Sequence, residues 1–245
     1  ILSAIIYFAC RKWFKHADII ARSNAQSQQE NVLTPKQEKD RIMALLLVFA
    51  VVVFFWMTFH QNGSALTFFA KKYPNLSVSG PMRIGFNIFS LALIAASVYT
   101  AFATFQSKLK KSRIICGITT FALWGGAILC YLFMDPTFAA QPSDFQQFNP
   151  FFVVALTPIS MAFFAALEKR GTIVSAPTRI AWGMLVAGIG FALITLASFG
   201  LISPMDLGTG TQSILSPAWL ISTYFTLTLA ELLLSPMGIS FVSKV

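Results

Sequence analysis

The sequence predicts an all-α protein that crosses a membrane several times, and three observations carry that prediction. Hydrophobic residues make up 56% of the 245 positions. Only 11% are Asp, Glu, Lys or Arg, where a soluble domain carries about 25%. The apolar residues are gathered into six runs, each near the roughly 20 residues that a helix needs to span the hydrocarbon core at about 1.5 Å per residue. No stretch reads as a separate soluble domain or a low-complexity tract.

Taken in order, Ile1–Cys10 is apolar but too short to span, and is expected to be the end of a truncated transmembrane helix. It leads into Arg11-Lys12-Trp13-Phe14-Lys15-His16, the aromatic and cationic pattern of a bilayer exit. Residues 11–41 are expected to form a cytoplasmic linker, with a Gln/Asn/Ser-rich run at Ser23–Asn31. Thr34-Pro35-Lys36-Gln37-Glu38 has a cap residue, a proline in the first turn and an acid following, which marks a helix start. Residues 42–245 are expected to be a helical bundle with spans at about Met43–Ala70, Ile84–Phe105, Ile114–Met134, Pro150–Leu167, Ile180–Leu201 and Pro217–Val242. Lys71–Arg83, Asp135–Asn149 and Ser203–Ser216 carry the Pro, Gly, Ser and Asp of solvated connections. Small residues along the fifth span (Gly183, Ala187, Gly188, Gly190, Ala192) suit close packing of helices in lipid.

The formal charge of +9 would suggest nucleic acid in a soluble protein, but its distribution assigns it to topology. With residues 11–41 on one side and the spans alternating, fifteen of the Lys and Arg residues fall on that side; only Lys71, Lys72 and Arg83 fall on the other. The positive-inside rule makes the rich side cytoplasmic. The cluster Lys108–Arg113 is also a candidate contact for anionic lipid. Cys10, Cys116 and Cys130 are scattered through apolar sequence and read as packing residues, with neither a disulfide framework nor metal spacing.

Polar residues inside the spans are the candidates for function. Glu231 lies about fifteen residues into the last span, roughly 22 Å along a helix, where a carboxylate costs about 2.5–3.5 kcal/mol. Ser235-Pro236-Met237-Gly238 follows it, and transporters use such breaks where backbone lines a cavity. A purely structural carboxyl group, tied to a neighbouring Ser or Thr, is the alternative. In the first complete span, Phe55-Trp56-Met57-Thr58-Phe59-His60-Gln61-Asn62-Gly63-Ser64 is a polar tract that lipid would penalise. Trp56, His60 and Ser64 share a face at helical spacing, and histidine is the side chain that ordinarily changes charge near neutral pH. A neutral His60 held within the bundle is the alternative there. Asn149-Pro150 opens the fourth span; capping accounts for an Asn before Pro at such a place.

Three tracts together resemble the proton-dependent oligopeptide transporter family of the major facilitator superfamily. Phe55–Ala70 (FWMTFHQNGSALTFFA) is similar to that family's seventh helix, which has Phe-Trp followed by an acid and Gln-x-Gly-Ser-x-Leu. Phe148–Pro158 (FNPFFVVALTP) resembles the eighth, with its Asn-Pro, and Ser216–Val245 resembles the tenth, with its Glu and Ser-Pro-x-Gly. The resemblance implies part of a major facilitator fold, mainly its C-terminal half, with the N-terminal half of the same transporter as a missing partner. It implies a proton-coupled symporter of di- and tripeptides working by alternating access, multi-pass in a bacterial cytoplasmic (inner) membrane. Protons are the coupling ion, with no metal, other cofactor or nucleic acid. It further implies that Glu231, Asn149 and Trp56 bind the peptide, and that Glu231, His60 and Gln61 serve proton coupling or gating. Two departures stand out. His60 occupies a position usually held by Asp or Glu. The two spans at about 84–134 form an extra hairpin between the seventh-like and eighth-like helices, whereas bacterial members commonly carry their additional pair before the seventh. Symport of another small solute on the same fold, or a non-transporting membrane subunit, are the alternatives. An enzyme is not expected: no span holds paired acids, and no serine or cysteine has a base nearby.

Overall fold

A backbone in hydrocarbon has no water to bond, so each apolar run satisfies its own N–H and C=O groups by forming helix. The structure, a computed structural model, describes residues 35–171, 174–203, 205 and 215–242. The expectations for Ile1–Cys10, for most of the linker and for Lys244 lie outside these residues. Seven α-helices occur among the described residues: α1 Pro35–Phe59, α2 Ala65–Lys72, α3 Ile88–Gln106, α4 Lys110–Leu132, α5 Phe148–Lys169, α6 Ala176–Ser198 and α7 Pro217–Val242. Pro35 opens α1, where its missing N–H is harmless.

The chain divides into two units, residues 1–46 with 245, and residues 47–244. Of the first, the described part is the opening of α1, with Ile42, Met43 and Leu46 all exposed. The second holds everything else described. Among the described residues, six segments are long and apolar enough to cross a membrane: Ile42–Lys72, Ile88–Gln106, Lys110–Leu132, Pro142–Lys169, Pro177–Ser198 and Pro217–Leu234. The first, second, third and fifth match the expected spans to within a few residues. The fourth is entered earlier, through a 3₁₀ turn at Pro142–Gln147. The last, expected to reach Val242, extends as an apolar segment to Leu234 while its helix continues to Val242. The first is broken: α1 stops at Phe59, a 3₁₀ turn occupies His60–Gly63, and α2 resumes at Ala65. The expectation of one continuous helix through the polar tract is therefore corrected, and with it the alignment of His60 with Ser64.

Within the second unit, α6 and α7 pack most closely, and glycine is the reason. A Cβ added at Gly183 would stand 3.1 Å from the Ala230 carbonyl oxygen, and one at Gly190 would stand 3.1 Å from Leu227 Cδ2. Both approaches are tighter than ordinary packing; at Gly183 the neighbour is backbone, so the small face of α6 admits the α7 backbone closely. Gly188, also on the expected small face, meets nothing within 4 Å. Helices α3 and α4 form an antiparallel hairpin over a turn at 107–109. Thr120 Oγ1 donates to Thr100 Oγ1 at 2.8 Å, and a Cβ on Gly126 would stand 3.3 Å from Leu93 Cδ1. Helix α5 meets α7 through the edge-on rings of Phe152 and Phe225, centroids 5.2 Å apart.

The loops at the end that carries residues 71–87 and 133–147 are more ordered than their composition suggested. β1 (Ser77–Ser79) pairs antiparallel with β2 (Thr137–Ala139), Val78 opposite Phe138. Phe86 and Phe145, both buried, meet edge to face with centroids 5.2 Å apart, and Phe86 also packs edge-on against Phe148. Pro74 bridges Leu215, with the Asn75 N–H donating to the Leu215 carbonyl at 2.9 Å. Gly80 opens a 3₁₀ turn with φ +66°, a left-handed conformation that a side chain would strain.

Arg83, expected to be an exposed loop charge, is 8% exposed. Its guanidinium donates to the carbonyls of Gly80, Met134 and Asp135 and lies 4.6 Å from the centroid of the Tyr131 ring. Those last carbonyls follow the end of α4, where a cation suits both the unpaired C=O groups and the negative end of the helix dipole. Arg83 thus fastens the loop after α2 to the end of the hairpin. Arg83→Ala should lower stability by about 2–4 kcal/mol, the range for losing a buried hydrogen-bonded charge, read as a reduced melting temperature of the purified protein in detergent. An unchanged melting temperature would return Arg83 to the solvated loop.

Candidate functional site

Helix α7 presents Tyr224, Thr228 and Glu231, spaced at i, i+4 and i+7, and that spacing places all three on one face. The face is internal: Tyr224 is 1% exposed and Thr228 fully buried, while Glu231 is half-buried. Thr228 uses its hydroxyl proton locally, donating to the Tyr224 carbonyl at 2.8 Å, which leaves its oxygen free to accept.

Asn149 supplies the partner. It is the second residue of α5, and its Nδ2 donates to Glu231 Oε2 at 3.1 Å and to Thr228 Oγ1 at 3.2 Å. The two protons of one amide group thus join α5 to α7 at Glu231. The capping role that Asn149-Pro150 suggested is not what the structure contains: α5 runs directly out of the preceding 3₁₀ turn, and the Asn149 side chain bonds across to another helix. Glu231 is likewise tied to an asparagine rather than to a Ser or Thr. Among the described residues Glu231 forms no ion pair, and its Oε1 carries no hydrogen bond. A carboxylate with one oxygen held by a neutral donor and the other open can receive a cation or a proton.

The polar tract of the first span forms a second cluster. The ring of Trp56 lies 5.6 Å from that of His60 and 5.4 Å from that of Phe59. His60 is exposed and begins the 3₁₀ turn that breaks the helix. Gln61 is also exposed, and accepts a local hydrogen bond from Ser64 Oγ at 3.3 Å. The break frees carbonyls from the helical ladder, and they find partners elsewhere. Asn62 O accepts from Tyr224 Oη at 3.1 Å and from Thr67 Oγ1 at 3.3 Å, and Gln146 Nε2 donates to Thr67 Oγ1 at 2.9 Å.

The structure therefore brings Asn149 to Glu231 and Trp56 to His60. Among the described residues no hydrogen bond, ion pair or ring contact joins these two pairs directly; α7 connects them, touching the helix break through Tyr224 and Asn149 through Thr228 and Glu231. Tyr224 and Thr228 were missed in the sequence. The signal for them is their spacing from Glu231, seven and three residues earlier in the same span. Two cavities hold none of the four residues: one of about 160 Å³ lined by Phe55, Phe59, Met184, Phe191 and Leu227, and a groove of about 450 Å³ between α3 and α5. Both linings are almost wholly apolar. Backbone helix continues through Ser235-Pro236-Met237-Gly238 to Val242; the side chains of that stretch lie outside the described residues.

Comparison with known proteins points the same way. A family model described as the POT family matches residues 116–245, just over half of the chain. The match takes in Asn149 and Glu231 and lies beyond Trp56, His60 and Gln61. The chain is similar to the uncharacterized transporter YclF of Bacillus subtilis, 29% identical over 152 residues that cover 56% of this chain and 29% of the relative. It is similar to dipeptide and tripeptide permease B of Edwardsiella piscicida, 27% identical over an alignment 266 residues long that covers 99% of this chain and 45% of the relative. It is also similar to the peptide transporter YePEPT of Yersinia enterocolitica, 22% identical over 205 residues, covering 84% and 28%. The chain thus spans less than half the length of these relatives. No solved structure matches it significantly.

The bond from Tyr224 to Asn62 is the direct link between α7 and the helix break. Tyr224→Phe removes only that hydroxyl and should cost about 0.5–1.5 kcal/mol, the net worth of one hydrogen bond. Thermal unfolding of the purified protein reads the loss. A variant that melts like the wild type would show that Thr67 alone satisfies the freed carbonyl.

Proposed function

The chain belongs to the POT family, a family of transporters within the major facilitator superfamily and not of enzymes, and on that premise we propose that it is part of a proton-coupled symporter of di- and tripeptides. The observation that carries the proposal is the Asn149–Glu231 contact, a half-buried carboxylate held at one oxygen and open at the other. A membrane carboxylate that has no ion pair among the described residues is a costly feature that a binding or proton-transfer role explains. The similarity to proteins named as dipeptide and tripeptide permeases supports peptides as the substrate class.

In the proposed mechanism Glu231, deprotonated, pairs through Oε1 with the substrate's ammonium group. Asn149 holds Oε2, so the carboxylate is oriented before substrate arrives, and the asparagine presents its own carbonyl oxygen as a second acceptor. Protonation of Glu231 removes the charge that the ammonium needs and releases the peptide, which couples the two fluxes. Facilitators carry substrate near the bilayer midplane between two halves that rock alternately; this chain supplies one half, and the other completes the site. In the proposed complete transporter Trp56 would wall the substrate cavity that the two halves enclose. His60 and Gln61, at a break in a membrane helix, sit where a discontinuous helix can bend. An imidazole in place of the family's usual acid at His60 would carry positive charge when protonated, so a gate built there pairs with an acceptor or an acid and not with an arginine.

The proposed setting is a bacterial inner membrane, with the cation-rich loops cytoplasmic. The α3–α4 hairpin is proposed as an addition to the family's common set of helices. Because it contributes two spans, it leaves the orientation of every later helix unchanged.

Glu231→Gln preserves shape and hydrogen bonding but cannot ionise. Binding of a dipeptide should weaken by roughly ten- to over a hundredfold, the equivalent of about 1.5–3 kcal/mol for a charge-assisted hydrogen bond. Proton-driven accumulation in proteoliposomes should vanish while slow substrate exchange persists. A dipeptide with an acetylated amino group should bind the wild type poorly and the variant hardly worse. Equal accumulation by wild type and variant would make Glu231 structural and remove the mechanism.

A further inference from the structure

The α3–α4 turn is the most strongly charged surface among the described residues that the transport reading leaves unused. It carries Lys108, Lys110, Lys111 and Arg113 within six positions, all exposed. No acidic residue occurs anywhere between Asp40 and Asp135, and among the described residues none of the four forms an ion pair. One of them has an internal partner: Arg113 Nη2 reaches back across the turn to the Ser107 carbonyl at 3.1 Å, and Ser107 is the residue that ends α3. Arg113 therefore closes the hairpin, and the three lysines are left without a structural bond.

Helix stability does not account for those lysines. Lys110 and Lys111 open α4, and its first turn holds no acid and no capping side chain. Cations at the positive end of a helix dipole are unfavourable. Membrane topology asks for positive charge on this side, but it does not ask that the charge be free of carboxylates. Apolar side chains stand beside it: Phe105 and Ile114, in the flanking helices, are 86% and 61% exposed, and Leu109, in the turn itself where no span requires an apolar residue, is 73% exposed. A short turn that sets unpaired ammonium groups among exposed apolar side chains matches the boundary between phosphate headgroups and acyl chains.

We propose that this turn is a docking surface for anionic phospholipid, with Lys108, Lys110 and Lys111 receiving the headgroup phosphate and Phe105 and Leu109 lying against the acyl chains. The cation-bearing loop between α5 and α6 contrasts with it. There Arg179 stacks over the Phe164 ring, 3.9 Å from its centroid, so one of its cations already has a partner within the protein. The proposal does not depend on the substrate or on Glu231.

The test is binding of fluorescent-acyl phosphatidylglycerol and phosphatidylcholine to the purified protein in a neutral detergent. The wild type should prefer phosphatidylglycerol by about tenfold or more, as a few basic residues near an anionic headgroup provide. Lys108→Gln, Lys110→Gln and Lys111→Gln combined should abolish the preference, while Arg113 keeps the turn closed and the melting temperature unchanged. The triple Lys→Arg variant should retain the preference, and so should Lys169→Gln with Arg170→Gln. Inorganic phosphate at millimolar concentration should not compete. Equal preference in the wild type and the triple Gln variant would overturn the proposal. So would equal loss in the Lys169/Arg170 variant, or displacement of the lipid by inorganic phosphate, which would reassign the lysines to a soluble anion.

Discussion

Everything at the candidate site depends on a carboxylate placed in a membrane helix. Glu231 cannot be left to lipid, and the helices around it are arranged so that it is not. Asn149 reaches it from α5, Thr228 accepts the other proton of the same amide, and the glycines of α6 let α7 lie close on its other flank. Removing Asn149 would take away the donor to Glu231 Oε2; a side chain at Gly183 would crowd the α7 backbone at Ala230. The polar contact and the small-residue packing are two parts of one arrangement, which holds α7 in a single position with Glu231 facing a neighbour.

The break at His60–Gly63 follows from the same need to satisfy backbone hydrogen bonds. A helix interrupted within a membrane exposes carbonyls that water cannot reach, and such a break persists only where protein groups replace the lost bonds. Tyr224 and Thr67 do so at Asn62. The interruption is thus matched on α7 by a tyrosine seven residues before Glu231, and the two polar anomalies of the chain meet on one helix face. Movement of α7 cannot leave the break unaffected while that bond holds, which gives a physical route between the peptide-binding and gating roles proposed for the two clusters.

Much of this was legible in the sequence, for definite reasons. The spans were legible because an apolar run of bilayer length is stable in few settings besides a membrane, and Glu231 and the His60 tract stood out because lipid makes polar residues expensive. The hairpin turn was visible in Lys108–Arg113. What escaped was tertiary. Loop composition says polar and turn-rich, but not that Ser77–Ser79 would pair with Thr137–Ala139 across two intervening helices. Arg83 looked like any loop cation, since nothing local announces that the end of α4 would wrap it. Asn149 before Pro150 matched a cap so well that its partner, 82 positions further along the chain, could not be guessed from local rules. Thr228, a small hydroxyl residue amid several others, became significant only once Asn149 was seen to bond to it.

The central claim is that Asn149 and Glu231 act on substrate as one unit. A double-mutant cycle in dipeptide binding tests it, using Asn149→Ala, Glu231→Gln and the combination in the complete transporter. If the asparagine works by orienting the carboxylate, the two losses overlap, and the combined variant should bind better than their sum predicts by a coupling energy of about 0.5–3 kcal/mol, the range for residues in direct contact. Losses that add to within about 0.5 kcal/mol, or single variants that bind dipeptide as the wild type does, would contradict the claim.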